Sequence, residues 1–154
     1  MSFQLKSSAV SSGGRIPERF TGDGANLSPP LAWSDPPPGT RSFALFVEDT
    51  DAPGGSFWHW GICNIAPGER QLPEGAGDAA HGTGFETAAN DFGEHAYGGP
   101  HPPRGHGVHH YHFRLLALDV ERLELPPAAS AKVLWRSAQS HLLGQAELVA
   151  SYER

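Results

Sequence analysis

Hydrophobic and aromatic residues are concentrated in three short runs, at residues 42–48, 57–65 and 109–119. Pro-Gly and Gly-Gly pairs bound the first two runs, as they bound many strands. Both of these runs are apolar at odd and even positions alike, which is typical of strands that are covered on two faces. The pattern therefore predicts a mainly β protein with three principal strands.

The segments between the predicted strands are long and rich in Gly and Pro. The composition of residues 11–38 predicts loops, whose scattered apolar side chains are expected to pack against a sheet. Residues 71–105 form a second such region, and a structureless loop of that length in a compact domain is usually functional. Apolar positions at helical spacing over residues 134–142 predict one helix that stops at Gly144. Alternation at residues 148–152 predicts a last short strand.

Length and charge narrow the class of protein. A chain of 154 residues fits a single domain over residues 1–154, and it can fold without a disulfide or a metal. The net charge of -6 argues against nonspecific nucleic-acid binding. The single cysteine, Cys63, lies in an apolar run, so a buried thiol is expected. No stretch is apolar enough to span a membrane, and residues 1–10 lack a signal-peptide core, so we expect a cytoplasmic protein.

Polar residues stand at the ends of the predicted strands. Asp49 follows the first strand, and His59 lies near the start of the second. His109 and Tyr111 open the third strand. Because alternate side chains of a strand share a face, each of these residues lies at the end of an apolar row. If the three rows face one core, the four polar groups converge on a pocket at its rim.

Such a pocket suits a small anion. Histidine N–H and tyrosine O–H groups donate hydrogen bonds to phosphate or carboxylate oxygens, and a nearby carboxylate can orient one histidine. Gly-Gly and Pro-Pro pairs within residues 98–103 would hold the loop backbone close to a ligand. Two plainer interpretations stay open here. An Asp-X-Asp motif before Pro-Gly is a common turn, and His59 between two tryptophans can be an ordinary core histidine.

The same residues lie in motifs that resemble those of a known family. The motif segments are 49–53 (DTDAP), 99–111 (GPHPPRGHGVHHY), 26–33 (NLSPPLAW), 90–93 (NDFG) and 146–152 (AELVASY). Together they resemble the phosphatidylethanolamine-binding proteins in their bacterial form, over nearly the whole chain. That family includes the Raf kinase inhibitor protein of animals and flowering-time regulators of plants. The resemblance implies a mainly β fold, with an antiparallel β-sandwich-like core of Greek-key character and a few peripheral helices.

The resemblance also implies which residues form the pocket. The expected ligand-binding residues are Asp49, Asp51, Ala52, Pro53, His59, Pro102, Pro103, His109 and Tyr111. Among them, Asp51 is expected to brace the first motif rather than to touch the ligand. Trp58 or Trp60 is expected to form a wall, whereas His101 and His112 are expected to lie outside the pocket.

Three structural expectations accompany these motifs. The Ala52–Pro53 peptide bond is expected to be cis, as it is in the family's motif. His110 stands where arginine is usual, so a structural ion pair is expected to be weaker here. The resemblance to bacterial members that pair implies a homodimer.

The leading hypothesis for function is the binding of a small anion, either phosphate or a phosphorylated head group. The protein would then act by occupancy of the pocket or by inhibiting a partner protein, without a cofactor or a metal. One alternative is a hydrolase whose acid–base site is formed by Asp49, His59 and His109, although no activated serine or cysteine stands beside them.

A metal protein is the second alternative. Its ligands would be the histidines of the last motif, His106, His109, His110 and His112. Strand alternation puts His109 on the opposite face from the two histidines that follow it, and no cysteine or glutamate supplements the set, so this alternative is disfavoured.

Overall fold

The computed structural model describes residues 2–78 and 84–154. In chain order its elements are β1 (Gln4–Lys6), a 3₁₀ turn (Glu18–Phe20), β2 (Leu31–Ser34), β3 (Ser42–Asp49), β4 (Phe57–Ile65), β5 (Gln71–Leu72), β6 (Glu86–Thr87), β7 (His109–Leu118), α1 (Ala131–Gln139) and β8 (Leu142–Tyr152). The chain is therefore mainly β, with α1 as the one α-helix among the described residues.

The strands form two antiparallel sheets. One sheet has the order β1-β2-β5, and the other has the order β6-β4-β3-β7-β8. Within the larger sheet, β3, β4 and β6 follow one another, and a long connection then returns β7 to the free side of β3. This is the strand order of a Greek key, so the predicted fold class is confirmed.

The main core lies between the two sheets. Phe43, Leu45 and Val47 of β3 face this core together with Leu31 and Trp33 of β2, and all five side chains are buried. The rings of Trp33 and Phe43 meet edge to face, with their centroids 5.5 Å apart. Burial of such side chains contributes roughly 1.5–3 kcal/mol each.

The other face of the large sheet is covered by α1. Ala44 and Phe46 of β3 pack there with Leu134 of the helix, so β3 is covered on both faces, as its apolar run predicts. The helix approaches closely because Gly61 has no side chain. A Cβ at Gly61 would lie 2.7 Å from the Cβ of Ala131.

The largest difference from the expected elements lies at the C-terminal end. The helix stops at Gln139 with Ser140 as its C-cap, and Leu142 already belongs to β8. The last strand therefore has 11 residues instead of a short run, and it pairs with β7 along almost its whole length. Only residues 146–152 alternate clearly between exposed and buried positions, so the sequence shows only the inner half of this strand.

Candidate functional site

At one edge of the large sheet, the edge formed by the strand ends, β3 ends and both β4 and β7 begin. Asp49, the last residue of β3, pairs with Tyr111 of β7 on one side and with Phe57, the first residue of β4, on the other. His109 opens β7 opposite Tyr152 of β8. Strand pairing alone therefore brings the motifs at residues 49–53 and 99–111 together at this edge.

His59 reaches this edge through a β-bulge. Val47 pairs with Trp60 and Glu48 pairs with Trp58, so His59 is the extra residue between two partners. A bulge re-aims the side chain of the extra residue, and such features concentrate next to functional sites. The apolar row expected on the same face as His59 in β4 is interrupted, because Cys63 packs on the helix side of the sheet. Gly61 also faces the helix, where it lies against Ala131.

A cavity of about 170 Å³ opens at this edge. Its lining residues are Asp49, Ala52, Pro53, Phe57, His59, Phe92, His101, Pro102, Pro103, His109 and Tyr111. Eight of the nine residues expected from the sequence lie in this lining. The exception is Asp51, whose carboxylate instead accepts hydrogen bonds from the backbone N–H and Nδ1 of His110, both at 2.8 Å. Asp51 therefore braces the motif, as expected.

Asp49, His109 and His106 form a hydrogen-bonded chain from the cavity floor to the surface. Nδ1 of His109 lies 2.6 Å from Oδ2 of Asp49, and Nε2 of the same ring lies 2.6 Å from Nδ1 of His106. Asp49 and His109 are almost completely buried, whereas His106 is exposed. Because a carboxylate only accepts, Nδ1 of His109 is the donor to Asp49.

His59 is held by the loop that carries the second motif. Its Nδ1 donates to the carbonyl oxygen of Gly98 at 2.7 Å, which leaves Nε2 for a ligand. Burial lowers the pKa of His59, and the Gly98 carbonyl and the Asp49 and Asp91 carboxylates only partly offset this effect. His59 is therefore neutral at pH 7, and its Nε2 carries a lone pair.

Tyr111 supplies a hydroxyl beside these histidines. Burial raises the pKa of Tyr111, and the Asp49 carboxylate raises it further. The phenol therefore stays protonated and can donate. The ring of His59 meets the Tyr111 ring edge to face at 5.2 Å, so the Tyr111 hydroxyl and Nε2 of His59 are held on neighbouring sides of the cavity.

An aromatic wall is the part of the site that the sequence reasoning missed. Phe57 and Phe92 pack edge to face at 4.8 Å, and Phe92 also contacts the His59 ring at 5.4 Å. The side-chain oxygen of Asn90 accepts from the backbone N–H of Phe92, which holds this loop in place. The segment at residues 90–93 (NDFG) was recognised as similar to the family, but the resemblance did not indicate that Phe92 lines the cavity.

His101 also lines the cavity, so the expectation that it lies outside was wrong. Gly22 makes room for its ring, since a Cβ there would lie 2.7 Å from Cδ2 of His101. Asp23 faces the same ring, with its carboxylate 3.6 Å from Nε2. His112 does lie elsewhere. It contacts Thr50 and Glu147 on the opposite face of β7.

Two other expectations for the first motif and its neighbours were wrong. The Ala52–Pro53 bond is trans, because none of the peptide bonds in the described ranges is cis. Two turns make the reversal instead. Oδ1 of Asp49 accepts from the Asp51 N–H, and the carbonyl of Ala52 accepts from the Gly55 N–H, each at 2.8 Å.

Neither tryptophan forms a wall of the cavity. Trp58 packs against Phe46 and Trp135 on the helix side of the large sheet. Trp60 lies in the main core against Tyr97. The bulge explains the difference, because it turns His59 toward the cavity and leaves its two neighbours on the two cores.

The four histidines of the metal alternative are not brought together. His106 and His109 bond to each other, while His110 bonds to Asp51 and His112 faces Glu147. Within residues 2–78 and 84–154, no three His, Cys, Asp or Glu side chains are grouped so that they could hold a metal ion.

The fold and this site define a class: a Greek-key β-sandwich with a small cavity at the end of its large sheet, lined by a few buried polar residues and by aromatic and proline side chains. The model of the phosphatidylethanolamine-binding protein family matches residues 6–153. The chain therefore belongs to the phosphatidylethanolamine-binding protein family.

Three relatives place the chain within that family. A UPF0098 protein of Aquifex aeolicus is 43% identical over 98% of this chain and 88% of its own length. The putative lipoprotein LppC of Mycobacterium tuberculosis is 40% identical over 97% of this chain and 71% of its own length. The crystal structure of Escherichia coli YbcL, described as a new member of the mammalian PEBP family, superposes with a TM-score of 0.95. The two chains are 34% identical, and the superposition covers 100% of this chain and 99% of the YbcL chain.

Proposed function

We propose that the cavity binds a small anion, phosphate or a phosphorylated head group, and that the protein acts by occupancy of this cavity or by regulating a partner protein. The observation that carries the proposal is the burial of Asp49, His59, His109 and Tyr111 around one cavity. Burying polar side chains costs free energy, and a β-sandwich core does not require them. A ligand that uses these groups accounts for their presence.

The protonation states of Tyr111 and His59 decide how an anion would be held. The pKa of Tyr111 is raised, so its hydroxyl keeps its proton and would donate it to a bound anion. His59 already donates through Nδ1 to Gly98, so its Nε2 becomes a donor only when the ring takes up a proton. The negative charge of an anion would supply the reason for that uptake. Binding is therefore proposed to strengthen as the pH falls, because it is coupled to protonation of His59.

The rest of the lining favours an anion that carries an organic group. Phe57, Phe92 and the proline side chains offer apolar surface beside the polar floor. Contact with that surface would remove apolar area from water at roughly 25 cal/mol per Å². This feature supports a phosphorylated head group over bare phosphate.

Calorimetric titration tests this proposal. Wild type, His59→Ala and His112→Ala would each be titrated with inorganic phosphate and with O-phosphorylethanolamine. A hydrogen bond to a charged group is worth about 1.5–3 kcal/mol, so His59→Ala is expected to weaken binding about tenfold or more. His112→Ala, which removes an imidazole on the other face of β7, is expected to bind like wild type. Equal affinities for all three proteins would refute the site.

One observation favours the hydrolase alternative. Asp49 orients His109 at 2.6 Å, as a carboxylate orients a general base in many enzymes. No serine or cysteine stands in the described lining of the cavity, and our proposal assigns no catalysis to it. Turnover of p-nitrophenyl phosphate by wild type, lost in His109→Asn, would support the alternative.

Cellular location and oligomeric state stay predictions. None of the helices in the described ranges is long and apolar enough to cross a bilayer. We propose a cytoplasmic protein, with membrane attachment as the alternative because one relative is named a putative lipoprotein. Cell fractionation separates these two, and light scattering at micromolar concentration tests the proposed homodimer.

A further inference from the structure

His109 has no free N–H group to offer a ligand. Its Nδ1 donates to Asp49, and its Nε2 lies 2.6 Å from Nδ1 of His106. In the neutral ring, Nε2 carries the lone pair, so His106 must be the donor in this contact. The imidazole that the second motif places beside the cavity is therefore fully occupied by side chains of the protein itself.

We propose that His106 competes with the bound anion for Nε2 of His109, so that displacement of the His106 ring completes the anion site. This inference rests on the proposed function, because it concerns how the same cavity takes its ligand. It assigns His106, which does not line the cavity, the role of setting the affinity of the site.

The segment that carries His106 is suited to such a displacement. His106 is exposed and stands between Gly105 and Gly107, whose φ angles are +75° and +96°. A Cβ at either glycine would meet nothing within 4 Å, so open space surrounds the turn. Rotation of an exposed side chain changes no strand pairing and occurs within picoseconds to nanoseconds. The bond to His109 is therefore the main constraint on this ring.

The number of protons on the His106–His109 pair determines whether Nε2 of His109 can donate to an anion. With one added proton, Nε2 of His109 carries an N–H that can donate either to His106 or to an anion. With two added protons, both rings present an N–H at the contact, so neither can accept and the contact is lost. Each proton added to the pair therefore shifts this competition toward the anion.

The groups that face this pair set the balance of charge. They are the carboxylates of Asp49 and Asp51, the ring of Tyr111, and the rings of His59 and His101, which line the same cavity as His109. The backbone carbonyl of Arg154 accepts from the N–H of Gly105 beside the pair. Asp49 bonds directly to His109, whereas Asp51 is bonded to His110.

Calorimetric titration of the full chain with sulfate tests the competition, because sulfate is a dianion at neutral pH and does not itself change protonation. His106→Ala is expected to tighten sulfate binding about three- to tenfold at pH 7. That change corresponds to one hydrogen bond of about 0.7–1.4 kcal/mol. The same substitution in a His109→Ala background is expected to change nothing, because its target is gone. His109→Asn replaces His109→Ala if the alanine variant does not fold, since the amide can still donate to Asp49.

Each other outcome overturns the inference in a recognisable way. Weaker binding by His106→Ala would mean that His106 is itself a ligand of the anion. Equal binding by wild type and His106→Ala, with binding lost in His59→Ala, would leave the anion site standing and remove the competition. No binding by either wild type or His106→Ala would overturn the proposed function together with this inference. His112→Ala is the control, and it is expected to match wild type.

Discussion

Two aspartate–histidine pairs connect the first motif to the start of β7, and they differ in exposure. The Asp49–His109 pair is 2.6 Å long, with side chains that are 5% and 2% exposed. The Asp51–His110 pair is 2.8 Å long, with side chains that are 42% and 54% exposed. The two pairs have the same chemistry and neighbouring positions, so burial is what separates a cavity floor from a brace.

Strand alternation creates this difference. Asp49 and His109 follow the face of β3 and β7 that points into the main core, whereas His110 is one residue later and points out. A buried pair is costly to break, because the remaining partner is left as an unpaired polar group away from water. An exposed pair loses little, since water replaces either partner. The following predictions test this contrast, beginning with the largest expected effect.

Asp49→Asn is expected to destabilise the fold far more than Asp51→Asn. The first change removes the charged acceptor of buried His109 and weakens the turn that Oδ1 of Asp49 makes with the Asp51 N–H. We expect a loss of about 2–4 kcal/mol for Asp49→Asn and less than about 1 kcal/mol for Asp51→Asn. Urea denaturation at pH 7 measures both free energies of unfolding. Equal losses would contradict the role given to burial.

The buried side of the site is also expected to make stability depend on pH. The pKa of His59 is lowered in the folded protein by burial, so the unfolded chain takes up this proton first as the pH falls below about 6.5. The free energy of unfolding should therefore decrease with falling pH, by up to about 1.4 kcal/mol per pH unit. His59→Phe, which cannot take up the proton, is the matched variant. Denaturation curves at pH 7.5 and pH 5.5, without added anion, should show a larger decrease for wild type than for the variant.

His110→Arg should have the smallest effect. Arginine is the usual residue at this position in the family, and its guanidinium always carries a charge. The exposed ion pair with Asp51 is expected to gain at most about 0.5–1 kcal/mol at pH 8, with no change in anion affinity. Thermal unfolding and the phosphate titration measure the two quantities. A large change in affinity would mean that the brace is part of the binding site.

Much of the site could be predicted because it follows strand alternation and motif order. Asp49, His109 and Tyr111 stand where their alternation places them, and the proline-rich loop closes over them. His59 was expected from its place near the start of the second strand and from the family resemblance, while the regular alternation expected for β4 failed at the bulge. A bulge adds a single residue and has no distinctive composition, so the sequence does not reveal its position.

The parts that were missed depend on contacts between distant segments. Phe92 reaches the cavity because Asn90 shapes its loop, and His101 does so because Gly22 makes room for it. Neither contact leaves a periodic pattern in the chain. The short strands β1, β2, β5 and β6 were missed for a similar reason, since two to four residues are too few for alternation to be recognised, and β2, β5 and β6 lie in segments expected to be loops.

The central claim is that an anion binds at the cavity and that His59 takes up a proton from the solvent as it binds. Imidazole ¹⁵N–¹H spectra of the labelled protein, recorded at pH 7 with increasing sulfate, test it most directly. The account predicts that Nε2 of His59 changes from an unprotonated to a protonated nitrogen as sulfate saturates the site, while the signals of half-buried His112 stay in place. An unchanged His59 signal at sulfate concentrations that saturate binding by calorimetry would contradict the account.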